Sequence, residues 1–275
     1  MRLLLLSTLT MVAFAANSVL NRLALEDGGT GPASFAAVRL VAGAVVLALL
    51  VARRGGAPVW ALPGWGGPAA LALYVLGFSF AYVTLGAGVG ALILFGGVQV
   101  TMFAGAVSGG DQIPPRRWIG AAISFAGLCY LMWPTGETVV TLTGAALMLA
   151  AALGWGLYSL IGRGVADPLR ATAGNFLYAA PVGIVAWLAL PDGMDGAGFA
   201  LAVISGAVTS GLGYALWYSV LPGLGATRAA VAQLSVPVIA VAGGVLFLGE
   251  AVSLRVVLAS VLVLGGVALS LAQKR

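Results

Sequence analysis

Thr10, Phe14, Asn17 and Asn21 stand at i, i+4, i+7 and i+11, so they share one face of any helix that contains them. An asparagine amide carries donors and an acceptor that hydrocarbon cannot satisfy, and the stripe therefore faces neighbouring helices or a wet cavity. Interhelical structural bonds are one reading of Asn17 and Asn21; contact with a solute is the other. Aromatic stripes follow: Tyr74, Phe78 and Tyr82 with Ser79 beside them, Trp155 with Tyr158, and Tyr214, Trp217 and Tyr218. Rings with polar tips give an organic solute both contact area and orientation. Trp217 and Tyr218 also suit a water interface, as do Trp60, Trp65, Trp118 and Trp133, whereas Phe78, Trp155 and Tyr158 lie deeper in their runs.

Gln99 and Gln233 fall near the middles of two further runs, and Pro237 follows Gln233 by one helical turn. A proline there frees the carbonyl of Gln233 and kinks the helix, as a hinge or as part of a site. Arg39 lies about 10 Å of helical rise beyond Pro32. At such depth it either snorkels or pairs structurally, or it meets the carboxylate of a substrate.

Much chemistry is excluded. The chain has no His and one cysteine, Cys129, so imidazole acid-base work, an imidazole metal site and a disulfide framework within one chain are absent. Serine proteolysis of the Ser-His kind lacks its base, and aspartyl proteolysis lacks two buried acids. The glycines of GAGVG (86–90) have no strand-loop-helix unit around them, which argues against a nucleotide loop. Neither a metal nor another cofactor is expected. The net charge of +5 is scattered singly or in pairs, a topogenic pattern and not a nucleic-acid footprint.

The elements that hold these residues are membrane helices. Apolar residues make up 61% of the 275 and charged ones 8%, against roughly 25% charged in soluble proteins. The apolar runs predict ten spans, at 3–24, 33–52, 68–86, 89–108, 117–133, 143–163, 170–190, 197–219, 226–247 and 253–272. Their length fits a bilayer, and they lack the period-2 alternation of barrels. GAGVG and PGLG (222–225) are read as tight hairpins between neighbouring spans. With a cytoplasmic N-terminus, ten basic residues fall in the inner connections and only Arg22 and Arg255 in the outer ones, so both termini are placed inside. Glu26, Asp27, Glu137, Asp192, Asp195 and Glu250 then lie outside. The expected class is an all-α integral membrane protein of the cell inner membrane, surrounded by lipid, with a monomer as a plausible state.

The two halves repeat. FAANSVLNR (14–22) aligns with WGLYSLIGR (155–163), pairing Phe14 with Trp155, Ser18 with Ser159 and Arg22 with Arg163. Pro32 through Arg39 runs beside Pro168 through Asn175, GAGVGA (86–91) beside PGLGA (222–226), and Asp111 stands opposite Glu250. Two five-helix units result, 1–137 and 138–275, and an odd number of spans inverts the second unit against the first. Such repeats hold a solute near the midplane where they meet. The recurrence also argues against reading the first run as a cleaved secretory signal.

These features resemble the drug/metabolite transporter superfamily and its ten-helix members built from EamA-type repeats. The resemblance rests on the aligned first helices, Pro32 to Arg39, GAGVGALILFG (86–96) and GLGATRAAVAQLSVPVIAVAGGVLFLGEAVS (223–253). It implies export of small organic metabolites, amino acids among them, by alternating access. The first half departs from the family pattern: Gln99 and Val100 stand where a mid-helix proline is usual, and Asp111 replaces a glutamate. Export of drugs or nucleosides with ion coupling, or a structural membrane protein, are the alternatives.

Overall fold

The computed structural model describes residues 2–55, 64–108, 114–133, 140–162, 165–217, 219–220, 232–233 and 235–271, and the described residues are helical with no strand among them. Among the described residues ten helices follow in order: α1 (Arg2–Leu25), α2 (Pro32–Arg54), α3 (Gly66–Ala81), α4 (Ala87–Ser108), α5 (Pro115–Met132), α6 (Leu142–Gly162), α7 (Pro168–Ala189), α8 (Gly196–Trp217), α9 (Ser235–Leu248) and α10 (Leu254–Leu271). Among the described residues, α1, α2, α4, α6, α7 and α8 are long and apolar enough to cross a bilayer.

Local chemistry sets the helix starts. Pro32 and Pro168, partners in the sequence repeat, both open a helix, where a missing N–H costs nothing. Asp167 caps α7 by accepting from the Arg170 N–H at 3.2 Å, and Asp195 caps α8 by accepting from the Gly198 N–H at 2.6 Å. Two further N-termini are capped from a distance. The Asp192 carboxylate accepts from the N–H groups of Ala33 and Ser34 at 2.8 and 2.9 Å, and Glu250 accepts from Ala87 at 2.7 Å, both favoured by the helix dipole.

Those caps correct one boundary. GAGVG is not a hairpin loop as a whole: α3 ends at Ala81, and Ala87 to Gly90 form the first turn of α4. The reason is that Glu250 satisfies the free N–H groups there, while the glycines let α4 close on its neighbours. A Cβ at Gly90 would fall on the Tyr82 ring. PGLG lies outside the described residues.

The helices pack as α5 on α10, α2 on α7, α3 on α6, α1 on α8, α4 on α6, α1 on α9, α2 on α8 and α3 on α7. Exchanging α1–α5 for α6–α10 maps these pairs onto one another. The α3–α6 crossing brings backbones together, since a Cβ on Gly154 would lie 2.7 Å from the Ala70 carbonyl oxygen. Trp65, Trp118 and Trp133 are exposed near helix ends, as interface residues should be; Trp60 lies outside the described residues.

Candidate functional site

At the centre, α1, α3, α4, α6 and α8 enclose a cavity of about 10 Å³, room for about one water. Phe14, Asn17, Tyr74, Phe78, Leu94 and Phe95 of the first half and Trp155 and Tyr214 of the second line it. Phe14 and Trp155, aligned in the sequence repeat, meet edge-on at 5.9 Å. Tyr74 and Tyr214 each lie 4.9 Å from the Trp155 ring, at 48° and 49°. Tyr158 stacks on Trp155 at 5.5 Å, and Trp217 packs edge-on against Phe14 at 5.7 Å. Burial therefore favours the deep reading of Trp217 over the interfacial one.

A polar band crosses this cage. Residues Ser205–Leu212 of α8 are π-helical, and the wider turn presents three hydroxyls to α1. Asn17 Oδ1 accepts from Ser205 at 2.8 Å, from Thr209 at 2.5 Å and from Ser210 at 3.4 Å. Ser210 in turn accepts from Arg39 Nε at 3.1 Å, and Arg39 Nη2 donates to the Tyr74 hydroxyl at 3.2 Å. α8 comes this close because Gly206 has no Cβ, which would otherwise run into the Arg39 backbone.

Arg39 does not snorkel. It is fully buried, with its guanidinium 5.4 Å from the Tyr74 ring centre and 5.0 Å from that of Phe78. No described helix contains an Asp or Glu, so the charge has no carboxylate inside the bundle among the described residues. Burying an unpaired cation costs several kcal/mol; the two rings, Ser210 and Tyr74 offset part of that.

The remaining sequence candidates fall around this centre. Tyr82 packs on Phe78 at 4.7 Å and donates to the Ala87 carbonyl at 3.3 Å. Asn21 and Ser79 are buried with side-chain polar atoms that have no hydrogen-bond partner among the described residues. Gln99 and Gln233 are half-buried and stand away from the cavity lining, and Tyr218 lies outside the described residues. Pro237 is buried in α9, and Gln233, one turn earlier, is helical as well; Pro181 inside α7 is a further interior proline, which the sequence reading passed over. It also passed over Ser205, Thr209 and Ser210; their spacing within SGAVTSG was the available signal.

Fold and site together define a multi-pass helical membrane protein with a polar, aromatic-walled centre. The EamA-like transporter family model matches residues 142–272. An uncharacterized protein of Pseudomonas aeruginosa is 48% identical over 99% of this chain and 96% of its own length. An uncharacterized transporter of Archaeoglobus fulgidus is 26% identical over 73% of this chain and 76% of its own. A solved crystal structure covers 95% of this chain and 96% of its own, with a TM-score of 0.68 and 23% identity, which speaks for the fold. The chain belongs to the EamA-like transporter family, within the drug/metabolite transporter superfamily, and is a membrane transporter. The matched segment falls in the second half, and the departures at Gln99, Val100 and Asp111 fall in the first.

Proposed function

We propose that this transporter exports small organic metabolites, with aromatic amino acids the first to test, across the cell inner membrane by alternating access. Two inverted units, 1–137 and 138–275, rock about the central cage and open it to one side and then the other. The observation that carries the reading is the meeting of Phe14 with Trp155 beside Asn17: equivalent positions of the two halves converge on one enclosed polar and aromatic centre. The exchange symmetry of the helix pairs supports it as well.

The cage is nearly filled by its own side chains, so a solute enters only if they move apart. Rings give a solute its contact area, and Asn17 with the α8 hydroxyls and Arg39 give it orientation. The test is solute flux in proteoliposomes. Trp155→Ala or Tyr158→Ala is expected to lower flux about 10-fold while leaving the yield of folded protein close to the parent's, since each removes ring contacts of the size seen at binding hot spots. Unchanged flux in both variants would take these rings out of the path.

A further inference from the structure

Among the described residues several buried polar atoms lack a hydrogen-bond partner, and those of Arg39 and Tyr214 lie at the cage itself. Arg39 Nε is engaged by Ser210 and one proton of Nη2 by Tyr74, but Nη1 is buried with no hydrogen-bond partner among the described residues. The hydroxyl of Tyr214, which lines the cavity beside Arg39 and Tyr74, is buried and makes no hydrogen bond of good geometry among the described residues, although both neighbours lie close enough to polarise it. Buried polar atoms in native proteins are almost always satisfied, and a group left open in a closed site marks where something else binds.

We infer that the free end of the Arg39 guanidinium and the Tyr214 hydroxyl form a carboxylate subsite, so that the transported solute must carry a carboxylate and need not carry an amine. The reading rests on the transport function proposed above. Nη1 keeps both protons open and Nη2 one, and a guanidinium takes both oxygens of a carboxylate through one proton on each of two nitrogens. Tyr74 and Phe78, which the guanidinium covers, both line the cavity, so the charge sits directly behind its wall. No described helix supplies an acid to neutralise it; an anionic solute brings the missing countercharge, and the rings bind its apolar remainder. For an ammonium group the site offers no carboxylate, and Asn17 Oδ1 is already occupied by hydroxyl donors.

Counterflow in proteoliposomes with four matched solutes separates the possibilities: phenylalanine, 3-phenylpropionate, phenylalaninamide and phenethylamine. Phenylalanine and 3-phenylpropionate are expected to exchange, and the two solutes without a carboxylate at least about 10-fold more slowly, the discrimination of a charge-assisted bond lost. Arg39→Gln is expected to lower carboxylate flux by about 10-fold or more. Should that variant fail to fold, Arg39→Lys, which keeps the charge and loses the fork, and Tyr214→Phe, which leaves the guanidinium intact, carry the test. Each is expected to reduce carboxylate flux by about 3-fold or more. Phenylalaninamide or phenethylamine exchanging as fast as phenylalanine overturns the subsite, as does unchanged carboxylate flux in both Arg39→Lys and Tyr214→Phe; the transport function stands in either case because solute still moves. Exchange of none of the four overturns the subsite and the aromatic-solute reading together.

Discussion

Asn17 accepts from three hydroxyls of one neighbour, and through Ser210 it is tied to Arg39. The amide thereby welds α1, α2 and α8 at the depth where the cage lies. Asn17→Ala leaves those hydroxyls facing apolar surroundings, and a loss of about 1–3 kcal/mol is expected; thermal unfolding in detergent, with midpoints compared at matched protein concentration, reads it. Thr209→Val is expected to cost less, because Ser205 and Ser210 still engage the amide. A midpoint for Asn17→Ala equal to the parent's would show that the network contributes nothing. The structural reading of Asn17 accounts for its Oδ1, and the residue also lines the cavity, where the proposed solute contact would be made. Periodicity identified Asn17, Phe14 and Trp155 because a helix face is fixed by residue spacing. Ser205 and Thr209, at i and i+4, were open to the same test, whereas Ser210 falls about 100° from Thr209 on a 3.6-residue helix and joins them only through the wider π-helical turn.

At the scale of elements, one end of the bundle carries contacts that cross between residues of the first and second halves of the chain. Asp192, before α8, caps α2, and Glu250, before α10, caps α4. Ser34 adds a hydroxyl donated to the Gly193 carbonyl at 2.9 Å, and Arg255 donates to the carbonyl of Tyr130 at the end of α5. All these residues lie on the side that the charge count makes outer. Helix caps stabilise by about 1 kcal/mol each, so Asp192→Ala or Glu250→Gln is expected to shift the population toward an outward-open form by about 5-fold. In a Cys129→Ser background, Ser79→Cys labelled from outside by an impermeant maleimide measures this; equal labelling rates with and without the cap substitutions would contradict it. The α3–α6 crossing has the opposite character, fixed in every state. Gly154→Val drives a side chain into the Ala70 carbonyl, and loss of most folded protein, seen as aggregation on size exclusion, is expected.

For the molecule as a whole, the ten helices were legible because membrane spans announce themselves by length, apolarity and charge placement. The exceptions are local: α3 stops five residues short of the apolar run's end, since the Glu250 cap that starts α4 comes from the far half of the chain and leaves no mark near residue 86. The centre was only partly legible, since burial separates Trp217 from Trp118 and composition does not. All described helices lack acids, whereas proton-coupled exchangers keep a buried carboxylate that trades protons for solute. Counterflow that persists when the proton gradient is collapsed is therefore expected, and strict dependence on that gradient would reject it.

Transport through this cage requires one shared centre that opens to both sides. In a Cys129→Ser protein, a cysteine placed at Phe14, and separately one at Trp155, is labelled by an impermeant maleimide added to either face of sealed vesicles. Labelling of each position from both faces, slowed by phenylalanine, is the predicted result. Access from one face only, or labelling confined to reagents that partition into lipid, would contradict it.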